Sequence, residues 1–360
     1  MKIIDKYLIK QFLQTILFGL LVFIAIFIVI DMMEKLDDFI DENVENKIIL
    51  EYYIVFIPEI IRLIFPVAVL LAGLFTVGKM STLNELTAFK AAGVSLYRFM
   101  APFIAVALLL SILSVYFGGY IVPEANERKV YIERNYMKKD VVPAGSSIYF
   151  QDSPLRIVTI SYYDGITNQA NRVSIQDFNE KNLTQMVSRM DSYKMKYDSS
   201  KKSWHLFDVV KRTFTDTSEK MIRFKEMEIK DMNFTPEEVI KKQRKPEEMT
   251  TTELWEYAEE QLKTGNDPTR IQIEYHSRYA YAFASFFVVL FGLPLTANKR
   301  KGGLAIEFGL NLLIAFIYLV FMKVTQAFGK NGALDPIFTA WIANFVFLIA
   351  AIINIKRVQK

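Results

Sequence analysis

Six stretches of the chain are apolar over a length that matches the hydrocarbon thickness of a bilayer. Residues 12–30 contain no charged side chain, and a transmembrane helix needs about 20 apolar residues. Residues 52–78 form a second run, interrupted by Glu59 and Arg62 and prone to bend at Pro58 and Pro66. Residues 99–122 are a third, uncharged throughout, and 279–298, 302–322 and 336–355 make the fourth, fifth and sixth. The first run is not a cleavable signal, because no small-residue cleavage pattern follows it. The pattern predicts three spans, a polar insertion, then three more spans.

Inside the insertion the period changes from helical to partly two. Residues 147–150, 156–160, 172–178, 185–197, 204–215 and 221–229 mix aromatic, β-branched and polar side chains with partial alternation, as strands do. Residues 198–202 suit a hairpin loop between two of the longest. Strands of this spacing predict a sandwich or jelly roll. Residues 250–263 then read as an amphipathic helix ending at Gly265 and leading back to the fourth span. The expected fold class is membrane α-helical, with six transmembrane helices in a 3+3 order and an inserted all-β, jelly-roll-like domain. The expected division is 1–123 for the first three spans, 124–270 for the β domain with its closing helix, and 271–360 for the last three spans.

Between the second and third runs lies a short mixed-polarity segment, Met80 to Arg98. Thr82 and Glu85 have capping-box spacing, Leu83, Leu86 and Phe89 recur at helical spacing, and Gly93 suits a stop. A short helix over 82–92, tied at both ends to spanning helices, is a handle by which a partner outside the bilayer can move both. Orientation follows from the basic residues of the short connections. Lys2, Lys6 and Lys10, then Lys79, Lys90 and Arg98, then Lys299, Arg300 and Lys301, then Lys356, Arg357 and Lys360 all fall on one side if six spans alternate. That side is expected to be cytoplasmic, which puts the β domain outside the cytoplasm.

Composition narrows the chemistry. The chain has 360 residues, 52% of them hydrophobic, with 29 Phe and 18 Tyr, a load that soluble proteins rarely carry. A net charge of +4 gives no nucleic-acid signal, and the absence of cysteine excludes disulfides and thiolate metal sites. His205 and His276 read as surface or interface residues rather than metal ligands. Gly73 to Lys79 nearly matches a phosphate-binding loop, but Met80 stands where Ser or Thr should hold magnesium, and the segment ends an apolar span instead of following a strand. No HExxH or GxSxG occurs, and paired carboxylates such as Asp37–Asp38 and Glu237–Glu238 sit in polar surroundings. The chain is expected to be a non-catalytic subunit without a cofactor, its work driven by an external motor.

Glu59 and Arg62 lie three apart on one helix face, at a depth where charges face a bundle interior or a wet cavity. Two readings follow: they pair with each other, or Arg62 faces a cavity and meets an anionic ligand. Lys35, just past the first span, is either a second cation for that ligand or a snorkelling interface lysine. Glu85 is either a helix-capping partner, a carboxylate offered to a cytoplasmic arginine, or both.

Beyond these physical readings, Asn84-Glu-Leu-Thr-Ala-Phe-Lys-Ala-Ala-Gly-Val-Ser95, Ile4-Asp-Lys-Tyr7 and Phe291-Gly-Leu-Pro-Leu295 followed by the basic Gly-Gly turn resemble the lipopolysaccharide export permease family. The resemblance spans the whole chain. Asp31 closing the first span and Leu36-Asp-Asp-Phe39 after it look more like the G-type permease than the F-type, while Tyr281 stands where many members have proline. The resemblance implies a permease that pairs with a sister six-helix permease and sits on a cytoplasmic ABC ATPase dimer, which alone uses ATP. It implies that Glu85, Leu86 and Phe89 couple to that ATPase. It implies lateral gates at the first and fifth spans, where Phe18, Phe23, Phe316 and Phe321 meet acyl chains, and Lys35 and Arg62 meeting substrate phosphates. Lipopolysaccharide would then pass from the inner membrane to a periplasmic jelly-roll bridge protein; a single-span regulatory subunit is a further implied partner. Rival readings are a permease for another lipid or lipoprotein, a membrane sensor with an outer ligand domain, and a membrane enzyme. The sensor would need an output domain where only a few residues follow the sixth run, and the enzyme lacks a catalytic set.

The orientation is directly testable, since the chain has no cysteine of its own. A cysteine at Ser200 is expected to react with an impermeant maleimide in intact spheroplasts, and one at Lys301 only after lysis; the reverse pattern refutes the topology.

Overall fold

The computed structural model of the chain describes residues 3–137, 148–164, 167–199, 201, 203–215, 218–229, 231–263, 267–297 and 303–357. The basic turn 299–301, Ser200 and Gly265 lie outside them. The contacts divide the chain into two compact units, Met1–Ile132 with Pro246–Lys360, and Glu133–Lys245.

The first unit is helical. α1 (Ile3–Asp41) and α2 (Asn46–Thr82) are long antiparallel rods, followed by the short α3 (Glu85–Ala91). α4 (Leu96–Tyr116) continues through a π-helical segment, Phe117–Ile121, into α5 (Val122–Asn135). With α6 (Pro236–Gln243) assigned to the second unit, the chain returns through α7 (Thr251–Lys263), α8 (Thr269–Ala282), α9 (Ala284–Ala297), α10 (Gly303–Lys330) and α11 (Pro336–Arg357). Among the described residues five helices are long and apolar enough to cross a membrane. A sixth crossing results if α8 and α9, bent by 41° at Phe283, act as one.

The handle differs from expectation at its start. Thr82 is the last residue of α2, not a cap of the next helix, and its hydroxyl donates back to the Gly78 carbonyl at 3.0 Å. A Ser or Thr inside a helix bonds the preceding turn in this way. The turn is made instead by Asn84 in the left-handed region (φ 58°), and Gly93 (φ 77°) makes the next one. Ser95 caps α4, accepting from the Arg98 amide at 3.4 Å.

Helix packing uses small residues and buried polar pairs, as membrane helices do. Leu8, Phe12 and Ile16 of α1 pack with Val69, Ala72 and Val77 of α2, Phe103 and Ala107 of α4, and Leu293 of α9. Tyr318 of α10 donates to Asn344 Oδ1 of α11 at 2.5 Å, and Asn344 Nδ2 donates to the Ala280 carbonyl of α8 at 2.9 Å. The Ser111 and Ser285 hydroxyls, both buried, meet at 3.0 Å between α4 and α9.

The second unit is a six-stranded antiparallel sheet in sequential order: β1 (Ile148–Ser153), β2 (Arg156–Asp164), β3 (Gln169–Asn179), β4 (Asn182–Asp198), β5 (Ser203–Thr215) and β6 (Ser218–Ile229). All six predicted strands are present, but the described ones form one meander instead of two facing sheets. Pairing is interrupted at one level across the sheet, at Ser161, Arg172, Tyr193, Asp208 and Lys225. Arg172 and Asp208 there are left-handed, each with φ 52°. This unpaired row changes the alternation without shifting the register: Tyr163 then Ile160 in β2, Ala170 then Val173 in β3, and Leu206 then Val209 in β5 are all buried in one core. Trp204 centres that core and donates Nε1–H to the Phe234 carbonyl at 3.0 Å. Burial pushes the Tyr163 phenol up, and the charge of Asp164 acts in the same direction. At the sheet's end Arg156 binds Asp177 at 2.8 Å and Asp231 at 2.9 Å, tying β2 and β3 to the segment after β6.

Gly329 is the tightest helix contact, since a Cβ there would overlap the Thr339 side chain of α11. Gly329→Val is expected to cost about 1–3 kcal/mol through overpacking, read as a lower thermal midpoint in detergent. Gly309→Val, where a Cβ meets no atom within 4 Å, should leave the midpoint unchanged.

Candidate functional site

At the end of the helical unit opposite α3, a cavity of about 480 Å³ opens between α2, α4, α8 and α10. Two departures from regular helix lie at its wall. Pro66 removes one amide from α2, and the Tyr281 hydroxyl donates to the nearby Leu63 carbonyl at 2.7 Å. Tyr281 thus ties α8 to the stretch of α2 that precedes Pro66. The π-helical segment brings Phe117 and Gly118 to the wall, where the stem of Arg62 lies against Gly118. Behind it, Thr251 at the start of α7 donates its hydroxyl to the Gly119 carbonyl at 3.2 Å, and Thr250 and Glu253 form a capping box with bonds of 2.7 and 3.3 Å.

The cavity lining mixes apolar and charged residues. Ile61, Leu110, Leu113, Phe117, Leu319 and Met322 give it an apolar wall. Arg62, Arg278, Lys323 and Lys330 supply four cations, against the carboxylates of Glu247 and Glu274. Gln326 donates to the Ser277 hydroxyl at 3.0 Å. Arg62 therefore faces a cavity, as one of its two sequence readings has it.

The other reading, a pair with Glu59, does not form. Glu59 is bonded by Lys129 of α5 at 2.5 Å, and Lys129 also stands 4.8 Å from the centre of the Phe56 ring. Lys35 lies elsewhere again. It pairs with Asp31 at 3.2 Å, donates to the Tyr52 hydroxyl and sits 4.6 Å from the centre of the Tyr52 ring. Tyr52 precedes Arg62 by ten residues on α2, about 15 Å along a helix, so Lys35 and Arg62 belong to different sites. Arg128 meets Glu51 at 2.6 Å on the same end of the bundle.

Of the four predicted acyl-contact aromatics, Phe18 (69% exposed) and Phe316 (63%) point outward, while Phe23 and Phe321 are half-buried. α1 offers the larger apolar face: only 6% of its most apolar stretch is buried within the chain. At the opposite end, Glu85 opens α3 and accepts from the Tyr7 hydroxyl at 3.1 and 3.3 Å. Arg98 grips Asp5 at 2.7 and 2.8 Å beside it. Leu86 is buried in the helical core and Phe89 packs at 6.1 Å from Phe99, so both hold α3 onto the bundle.

Arg278 is the cavity residue that the hydropathy pattern misses. It immediately precedes the apolar run starting at Tyr279, where it reads as an ordinary flanking charge. The signal was helical periodicity continuing upstream, since Ile273, Ser277 and Ala280 share a buried face.

A bundle of bilayer-length helices with a cation-lined, apolar-walled cavity and a separate antiparallel sheet unit defines a membrane-embedded transport subunit better than an enzyme. The comparison with known families makes this specific: the chain belongs to the lipopolysaccharide export system permease LptF/LptG family, whose sequence model matches residues 6–357. It is 20% identical to the LptF permease protein of Escherichia coli K12 over 98% of this chain and 94% of that protein. It is also 20% identical to the LptG permease protein of the same organism, over 99% and 98%, and 20% identical to LptF of Shigella flexneri. Identity to the two types is equal, so G-type character rests on Asp31 and Leu36–Phe39 alone.

The Glu59–Lys129 pairing predicts a specific mutant pattern. Glu59→Gln and Lys129→Met should each destabilise the chain, and the double variant should lose less than their sum, with a coupling of about 0.5–3 kcal/mol. The exchange Glu59→Arg with Arg62→Glu should not restore stability, because the partner of Glu59 is Lys129. Thermal midpoints of the purified variants check both.

Proposed function

We propose that this chain is the permease subunit of an ATP-driven exporter that draws lipopolysaccharide from the inner membrane and passes it to a periplasmic bridge. The observation that carries the proposal is the cavity in which Arg62 stands over an apolar wall. A large amphiphile with anionic sugar phosphates needs that combination, and arginine suits phosphate through paired, charge-assisted donors. Family membership supplies the export system. In this proposal the helices form six spans in a 3+3 order, the sheet unit lies in the periplasm as part of a jelly-roll-like relay, and both termini are cytoplasmic.

The chain binds no cofactor of its own in this proposal. A cytoplasmic ABC ATPase dimer drives it by gripping the segment around α3, with Glu85 as the ionic contact and Leu86 and Phe89 fixing the segment to the bundle. A sister six-helix permease covers the exposed face of α1 on one side. Phe18, Phe23, Phe316 and Phe321 border the path of the acyl chains, and Lys35 adds a cation on that path. A single-span regulatory subunit joins at the gate.

Two measurements test this. A photocrosslinking residue at Phe18 or Phe316 is expected to capture lipopolysaccharide in an ATP-dependent manner; capture of lipoprotein or phospholipid alone points to a different cargo. Glu85→Gln keeps an acceptor for Tyr7 but removes the charge. If an arginine of the ATPase binds Glu85, this change should weaken ATPase co-purification by about 2–5 kcal/mol, on the order of thirty-fold or more. Tyr7→Phe should leave it unchanged. Parental binding by Glu85→Gln would rule out the ionic contact.

A further inference from the structure

α3 is joined through the chain to α2 and α4, but it reaches α1 only through side chains. Two residues of the first turns of α1 make that connection. Tyr7 donates to Glu85 at the entry of α3, the carboxylate that the export proposal gives to the ATPase. Asp5 meets Arg98 at the exit, where the chain has passed the left-handed turn at Gly93 and entered α4. One guanidinium nitrogen, Nη2, donates to both Asp5 oxygens, at 2.7 and 2.8 Å. The Asp5 side chain is 11% exposed, and a carboxylate withdrawn from water needs a partner.

Arg98 does not suit the stability of α4 itself. It stands in the first turn, where the helix dipole favours an acid and opposes a cation. Its backbone amide is held by the Ser95 cap, so the cap fixes the residue whose side chain crosses to α1. Asp5, an acid in the first turn of α1, is on the favoured end of its own helix. The next buried residues along α1 are Leu8, Phe12 and Ile16, which share a core with Leu86 of α3 and with Phe99 and Phe103 of α4; after Ile16 the next is Phe39. The base of α1 is thus where this largely exposed helix meets the handle. Apolar burial there is non-directional, whereas a carboxylate bridged by a guanidinium nitrogen fixes a separation and an orientation. We propose that Asp5 and Arg98 are a positioning pair that locks the exit of α3 and the start of α4 to the base of α1, so that a push on α3 reaches α1. The pair shares no group with Glu85, so it persists when the ATPase takes that carboxylate. This deepens the export proposal and rests on it for the motor and for the place of α1 beside the acyl path.

The test has two arms. In the first, the chain is reconstituted with its ATPase and sister permease in liposomes containing lipopolysaccharide, with the bridge protein as acceptor. Asp5→Asn and Arg98→Gln should keep ATPase co-purification within about two-fold of the parent and lower the lipopolysaccharide passed on per ATP hydrolysed by about ten-fold or more, in the range of coupling between sites. Arg98→Lys, which still presents one nitrogen to both oxygens, should keep at least about half of the parental ratio, since the geometry uses one nitrogen only. A merely structural pair lowers the thermal midpoint and makes hydrolysis and transport fall together, with their ratio unchanged; that result overturns the coupling role, as does a parental ratio in Asp5→Asn and Arg98→Gln. Should Asp5→Asn not fold, Arg98→Gln, at a side chain 42% exposed, decides on the same ratio. In the second arm, spin labels at Lys6 and Tyr97, both exposed, report the separation of α1 and α4 in the chain alone in detergent. Asp5→Asn should broaden that distance distribution, and an unchanged distribution overturns the lock. If the ATPase does not co-purify with the parent chain, the export proposal falls and the spin-label distances alone decide the lock. If Glu85→Gln binds the ATPase like the parent while Asp5→Asn still lowers the ratio, the ionic contact at Glu85 falls and the pair stands.

Discussion

Removing a charge from water is costly unless something else solvates it, and the end of the helical unit opposite α3 is arranged around that constraint. Lys35 is met by Asp31 and Tyr52, Glu59 by Lys129, and Glu51 by Arg128. These contacts connect α1, α2 and α5 and fix how the helices meet. Arg62 and Arg278 line a cavity together with Glu247 and Glu274, without a direct ion pair to either carboxylate.

The cavity lies where two of its helices carry features that interrupt regular bonding. Pro66 leaves α2 one amide short, and the Tyr281 hydroxyl ties the same stretch of α2 to α8 through the Leu63 carbonyl. The π-helical segment after α4 presents Gly118 and Gly119, and the missing Cβ of the second lets Thr251 approach its carbonyl. The bend at Phe283 separates α8, which supplies Arg278, from α9, which supplies the buried apolar contacts.

Much of this was legible in the sequence. The apolar runs locate the long helices, and the six strands appear where aromatic and β-branched residues alternate. The alternation looked only partial for a physical reason now visible: the row from Ser161 to Lys225 shifts the inward phase in the middle of the strands. Thr82 misled because capping-box spacing cannot distinguish a cap from a final helical turn that bonds its own backbone. The partner of Glu59 was out of reach of local spacing, since Lys129 is 70 residues away in the chain. Arg278 was overlooked because hydropathy begins its helix at Tyr279, ten residues after α8 starts at Thr269.

The close fit of Gly329 against Thr339, together with the Tyr318–Asn344 hydrogen bond, has a mechanical consequence. The two contacts join α10 and α11 at two heights along their length. α10 carries Leu319, Met322, Lys323 and Gln326 of the cavity wall, and α11 ends beside Tyr97, whose hydroxyl reaches the Ile355 carbonyl at 3.4 Å. Tyr97, four residues past the turn at Gly93, thus touches the end of the helix that is joined to the cavity-bearing α10.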